Sequence, residues 1–265
     1  MTVDLKSDEH TFCEACVQAK QHTAPFPKAS ETEIKDIGDL TVSDVWGPAP
    51  TRSINGDRYL FTFTDGKTRH TVAYFGKTKD EALNHFKSYK ILVKTQTGRD
   101  LKSLRSDGGG EYVNGSFRTF LNEHGIRHET TAPYSPSQNG ISERLNRTIV
   151  ERARAMLFAH ELPRFLWAEA VSYATHLKNR SPTRALDGMT PTEAFTGRKP
   201  NVSHLHEFGI KIWVMVPRTK RTKLEPKAEE HIFTGVSDLS KAYRYWNQRT
   251  RQIQTSRNVT FDERT

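Results

Sequence analysis

The sequence predicts an α/β fold, a mixed five-stranded sheet flanked by helices and followed by a small β-rich region. Three observations predict it. Alternating apolar segments joined by turn residues come first, helix-like and strand-like segments then take turns, and beyond about residue 200 short alternating runs replace helical spacing.

The elements follow in order. Leu40–Val45 is a short strand, and Tyr59–Asp65 sets Tyr59, Phe61 and Phe63 against Leu60, Thr62 and Thr64 at a period of two. Gly56 and Asp57 mark the turn between them. Asp65, Gly66 and Lys67 mark the next, ahead of a third strand over His70–Phe75. Helical spacing of Ala82, Leu83, Phe86, Tyr89 and Val93 covers Lys79–Thr95, and Leu101–Ser106 is strand-like again. Phe117–His124 reads as a short helix and Arg127–Thr130 as the fifth strand. A polar loop rich in Pro and Gly (131–140) then leads into a long helix with Ile141, Leu145, Ile149, Ala153, Met156 and Leu157 on one stripe. Another helix runs from about Leu166 to Asn179, and a short one lies near Thr192–Phe195. Ile210–Val216, His231–Gly235, Ala242–Asn247 and Gln252–Thr260 form the β-rich tail. The expected division is 1–35 for a polar module and linker, 36–200 for the α/β domain and 201–265 for the tail.

Of the 265 residues, 35% are apolar and 10% aromatic, enough for a real core with long loops. No run approaches the ~18 apolar residues of a membrane span, and residues 1–12 lack the apolar stretch of a signal peptide. These features predict a soluble intracellular protein with no membrane partner. A net charge of +9 raises the expectation of a polyanionic partner such as nucleic acid. Cys13 and Cys16 are the whole thiol inventory, and their spacing suggests metal or redox use rather than a disulfide scaffold.

Three acids stand at informative points: Asp44 on the first strand, Asp107 just past the fourth, and Glu143 in the first turn of the long helix. Hard oxygen ligands converging from rigid elements suit Mg²⁺ and phosphoryl transfer, and two metals would clamp the attacking and leaving oxygens. The glycines at 108–110 leave room for a phosphodiester beside Asp107. Among 31 Asp and Glu residues, each is equally compatible with an ordinary surface acid on spacing alone. Asp65, which also ends a strand, reads as a turn residue bonding nearby backbone N–H groups.

The local words carry more. SDVWGP, RSDGGGEY and TAPYSPSQNGISERLNR resemble the three catalytic blocks of copia-type retrotransposon integrases, the catalytic core region of a Pol polyprotein. The similarity continues through FLWAEAVSYATHLKNRSPTRAL, TPTEAFTGRKPNVSHLHEFG and SRNVTFDE, nearly the whole chain. It implies an RNase H-like fold on which Asp44, Asp107 and Glu143, the last two separated by 35 residues, bind Mg²⁺ or Mn²⁺ at a two-metal site. It also implies trimming and joining of DNA ends at one site without a covalent enzyme intermediate, and a nuclear homo-multimer acting on element ends and target DNA. A catalytically silent or domesticated DNA-binding relic is the alternative; an RNase H-like nuclease or a cut-and-paste transposase would share the metal chemistry.

Lesser expectations surround these. Gln138 and Asn139 enter the long helix where polar side chains reach a DNA end, and Arg147, one turn after Glu143, either meets a phosphate or pairs with Glu143. The family carries two histidines ahead of its Cys pair. Only His10 precedes Cys13 here, so Cys13 and Cys16 are an incomplete Zn²⁺ site, filled if a longer chain supplies upstream histidines. In the tail, Arg218, Lys220, Arg221, Lys223 and Lys227 cluster around Glu225. Lys241, Arg244, Arg249, Arg251 and Arg257 stand beside Tyr243, Tyr245 and Trp246. Cations interleaved with aromatics suit DNA phosphates and exposed bases, without sequence preference; the alternative is a small β-core whose charges only solubilise it.

Overall fold

The computed structural model describes residues 33–130, 140–237 and 240–263. Ile34–Thr265 form one compact unit, and the expected change near residue 200 is a change of sheet within it.

The first sheet has the order β3-β2-β1-β4-β5, with β1 Thr41–Trp46, β2 Tyr59–Asp65, β3 Thr71–Gly76, β4 Ser103–Ser106 and β5 Arg127–Thr130. The hairpin strands β1, β2 and β3 pair antiparallel, whereas β4 and β5 lie parallel to β1. Parallel neighbours need crossovers, and helices supply them: α1 Ala82–Thr97 before β4, then α2 Gly110–Val113 and α3 Gly115–Glu123 before β5. A capping box at Thr78 and Glu81 opens the first crossover, and Gly98, at φ 71°, closes α1. Helices α4 Gly140–Ala159, α5 Trp167–Arg180 and α6 Pro191–Thr196 follow.

The alternation along β2 sorts the two faces. Phe61 and Phe63 point into a core with Phe86, Tyr89, Tyr112, Phe117 and Leu121, under α1, α2 and α3. Leu60 points the other way, into a core with Ile149, Ala153, Leu157 and Val171 from α4 and α5. That second core continues through Ile210, Ile212, Ile232, Phe233 and Trp246, so both sheets share it.

The second sheet, order β10-β6-β7-β8-β9, is antiparallel throughout: β6 Lys211–Met215, β7 Ala228–Val236, β8 Tyr243–Asn247, β9 Gln252–Ser256 and β10 Val259–Phe261. The run expected as one strand over Gln252–Thr260 is two, split at Arg257 and Asn258 so that its second half crosses to pair with β6. Except for Trp213 on β6, which is 43% exposed, its aromatics are core. Tyr245 and Trp246 are buried, and Tyr243 packs edge-on against Phe233 and Phe261. The surface of exposed aromatics expected there is therefore corrected to the small β-core, because antiparallel strands bury one face at a period of two.

Asp65 holds the turn role expected of it. It is buried; one carboxylate oxygen accepts from the Gly38 N–H and the other from the Thr68 N–H and hydroxyl.

Candidate active site

Asp44 sits on the central strand directly opposite Thr62 of β2, so both side chains leave the sheet on the face that α4 covers. Asn146, one turn after Glu143 on α4, links them. Its amide donates to Asp44 Oδ2 at 2.8 Å, and its Oδ1 accepts from the Thr62 hydroxyl at 2.8 Å. Asn146 and Thr62 are both buried, so this bridge fixes helix to sheet at the point where the acids meet.

Asp107 follows the end of β4, the parallel neighbour of β1. Its Oδ1 accepts from the Gly109 N–H at 3.3 Å. A Cβ at Gly109 would stand 3.0 Å from that oxygen and 2.8 Å from Glu111 Oε2, so the glycine lets two carboxylates share one short loop. Glu111 is buried and pairs with Lys79 at 3.1 Å. Beside it the hydroxyl of Tyr112, also buried, meets Ser43 Oγ at 2.5 Å on the opposite face of β1 from Asp44. The glycine-rich loop is thereby tied to β1 on one side and to the start of the first crossover on the other. Glu143 is exposed in the first turn of α4.

Electrostatics shows how these acids relate. Burial pushes the Asp44 carboxyl up, the negative charge of Asp107 adds to it and that of Glu143 adds further, bringing it to about 6 against the opposing pull of the Asn146 bond. Residues far apart in the chain thus bear on one carboxyl. Among the described residues, however, no three Asp, Glu, His or Cys side chains stand close enough to hold one metal ion as they lie. Still, the donor set is oxygen only, and its central member is destabilised by like charge. Such a set fits a hard divalent cation, which would relieve that repulsion, and does not suit a thiol-seeking one.

Sequence reading missed Asn146, Glu111 and Tyr112. The three-residue step from Glu143 was the available signal for Asn146, since i and i+3 share a helix face. Arg147, chosen instead, is exposed and lies 4.0 Å from Glu151 rather than against Glu143. Gln138 and Asn139 lie outside the described residues, as do Cys13 and Cys16.

The tail cations divide into two groups. Arg218, Lys220 and Lys223 are exposed on the connection between β6 and β7, where Arg221 donates to the Val216 carbonyl at 3.3 Å. Arg249 and Arg251 are exposed at the β8–β9 turn, Arg249 at 3.5 Å from Glu229. Arg244 is different, because its guanidinium grips the buried carboxylate of Glu169 on α5 through two nitrogens at 2.7 to 3.0 Å.

Replacing Asn146 with Ala removes the bridge and takes one hydrogen bond each from Asp44 Oδ2 and the Thr62 hydroxyl, which keeps only its 3.4 Å contact with the Asp44 carbonyl, a cost of about 2 kcal/mol. Because the lost bond stabilised the ionised carboxylate, Asp44 should titrate above its present value of about 6. Carboxyl-carbon NMR on wild type and variant would read both values; an unmoved titration would mean that Asn146 does not support Asp44.

Comparison with known proteins now bears on this arrangement. Residues 38–136 match the integrase core domain, and residues 210–265 match the retroviral polymerase SH3-like domain. The chain is 42% identical over 251 residues to the retrovirus-related Pol polyprotein from transposon TNT 1-94 of Nicotiana tabacum, and 36% identical over 252 residues to that from transposon RE2 of Arabidopsis thaliana. Each alignment covers 95% of this chain but only 19% and 17% of those polyproteins, so the chain spans less than a fifth of their length. A chain of the simian T-cell lymphotropic virus intasome, solved in complex with PP2A regulatory subunit B56 gamma, shares the fold at a TM-score of 0.54 and 17% identity, over 94% of this chain and 87% of that one. With an integrase core domain followed by a retroviral SH3-like domain, and similarity running along 95% of its length, the chain is homologous to part of the copia-type retrovirus-related Pol polyproteins of plant transposons.

Proposed function

We propose that this chain carries the catalytic part of a retrotransposon integrase, which trims and joins DNA ends with divalent metal held by Asp44, Asp107 and Glu143. The observation that carries the reading is the Asp44 carboxyl, raised to about 6 by burial and by the charges of Asp107 and Glu143. Ordinary surface acids do not press on one another in this way. Mg²⁺ or Mn²⁺ bound by these carboxylates would supply charge neutralisation at the reacting phosphate and a more acidic attacking water or 3′-hydroxyl. Holding the side chains in register falls to the protein: Asn146 orients Asp44, and the Ser43–Tyr112 and Lys79–Glu111 contacts position the loop of Asp107. A divalent cation shared by all three would need the Asp107 and Glu143 carboxylates nearer to Asp44 than they lie.

In this reading Gln138, Asn139 and Arg147 contact the DNA end, while Arg218, Lys220, Arg221, Lys223, Arg249 and Arg251 neutralise backbone phosphates. Arg244 belongs with the fold rather than with the DNA, given its grip on Glu169. The division into a zinc-module remnant at 1–35, a catalytic core at 36–200 and a β-rich basic region at 201–265 completes the proposal. So do Zn²⁺ at Cys13 and Cys16 with histidines from a longer chain, a homo-multimer on DNA, and action in the nucleus. No helix among the described residues is long and apolar enough to cross a membrane.

The test is a joining assay with labelled terminal-repeat ends and plasmid, in Mg²⁺, Mn²⁺ or chelator, with Glu143→Gln alongside. Joining is expected with metal only, and not from the variant. DNA binding without joining under every condition would move the reading to a silent relic.

A further inference from the structure

A cavity of about 350 Å³ lies where β3, α5, α6 and β7 meet, and none of the three acids lines it. Its walls include His70, His176, Arg180, Thr192, Thr234 and Arg244, with no aspartate or glutamate among them. Four polar atoms on these walls, His70 Nδ1, His176 Nε2, Thr192 Oγ1 and Thr234 Oγ1, are buried without a protein partner. Buried polar groups are normally satisfied, and each exception costs about 1–3 kcal/mol. Four on one cavity point to a ligand.

The charge around the cavity says which kind. Burial, then the Lys178 and Arg180 charges, together lower His70 to about 3; burial, then Arg180 and His204, lower His176 to about 3. Lys178 stands behind the wall, donating to Thr71 Oγ1 at 2.8 Å, to Asn179 Oδ1 at 3.4 Å and to the Arg69 carbonyl. Among the described residues no carboxylate pairs with it. Burial pushes Lys178 down to about 7, and Arg69 and Arg152 push the same way. Arg244 has a counter-charge in Glu169, but the charges acting on His70, His176 and Lys178 are all of positive groups. A buried cation with no counter-charge beside it is costly, and a nearby anion lowers that cost.

We propose that this cavity binds a free phosphate group, inorganic or on a small phosphate ester, held by Arg180 and the hydroxyls of Thr192 and Thr234, with the His70 and His176 rings completing the shell. Phosphate offers acceptors to guanidinium and hydroxyl and, as the monoanion, a donor to whichever ring nitrogen is bare. The rings are already set, His70 stacked on Phe195 at 4.4 Å and His176 on Tyr173 at 6.0 Å. A space of this volume falls within the range of small-molecule sites. Being recessed between a helix and two sheets, it suits a small ester better than the backbone of a duplex.

Calorimetric titration of the full chain with inorganic phosphate, at constant ionic strength and with chloride as control, tests this. Saturable binding to phosphate alone is expected. Arg180→Gln should weaken it about tenfold or more, as loss of a charged hydrogen bond does. Thr234→Val, which removes a hydroxyl without a partner at nearly constant shape, should leave the melting temperature of the free protein unchanged or raised while weakening phosphate about fivefold. That variant keeps the test independent of any folding defect in Arg180→Gln. Heat that does not saturate, or either variant binding as wild type does, would overturn the site and leave a water-filled cavity. Displacement of phosphate by a short DNA duplex would overturn the free ligand in favour of a backbone phosphate; no displacement is expected.

Discussion

Replacing Asp44 with Asn is expected to lower metal-dependent joining by on the order of a thousandfold or more and, at the same time, to stabilise the metal-free protein at pH 8. The two effects share one cause. The folded carboxyl titrates near 6, above the ordinary aspartate value of 3.8, because burial and the Asp107 and Glu143 charges disfavour its ionised form. The folded state therefore holds this proton more tightly than the unfolded chain does. The stability this confers is full below pH 3.8 and is lost as pH rises to about 6. Above that, ionised Asp44 costs about 3 kcal/mol, at ~1.36 kcal/mol per unit. Asn carries no charge and its Oδ1 can still accept from Asn146, so much of that cost should vanish, raising the melting temperature by roughly 5 °C at pH 8 and hardly at pH 4. Mg²⁺ should stabilise wild type but not the variant, since only wild type keeps all three carboxylates. Four thermal melts, at the two pH values with and without Mg²⁺, and a joining assay read these effects. A variant that joins DNA at the full rate would remove Asp44 from the ligand set; one that melts identically at pH 8 would show that its carboxyl is not held out of water.

The three acids stood out in the sequence, whereas the residues packed around them did not. Asp44, Asp107 and Glu143 lie in short words with distinctive neighbours, and the glycines beside Asp107 announce a crowded loop. Asn146 reads locally as one more polar residue of a surface helix. Only the β1–β2 register, which sets Thr62 opposite Asp44, makes it a bridge. Tyr112 is similar, since its partner Ser43 lies on a strand 69 residues earlier. The mixed five-stranded character of the first sheet followed from hairpin turns and helical segments between strands, each a short-range signal, whereas its strand order was not legible. In the tail the period of two was visible but not which face it buries, because that depends on α5 and the first sheet lying beneath. Tyr245 and Trp246, read there beside the cations as a surface, are core, while Arg249 and Arg251 stay exposed.

Replacing Arg244, which grips Glu169, by Ala should cost about 3 kcal/mol, lowering the melting temperature by on the order of 10 °C. Its partner Glu169 is only 5% exposed on α5. Burial pushes the Glu169 carboxyl up and the Arg244 charge pulls it back, so without the arginine a buried carboxylate must either stay unpaired or take a proton. The pair also clips β8 to α5, which gives its loss a structural reach that the exposed cations lack. Changing both residues to Leu tests this logic, because a well-packed apolar pair replaces a buried ion pair at little or no cost. The double variant should recover most of the lost stability and bind DNA as wild type does, whereas Arg249→Ala and Arg251→Ala should leave the melt unchanged and weaken DNA binding at low salt. If the double variant melts normally yet binds DNA poorly, Arg244 contacts phosphate as well as Glu169, and the division of the tail cations into a structural one and a DNA-facing set fails.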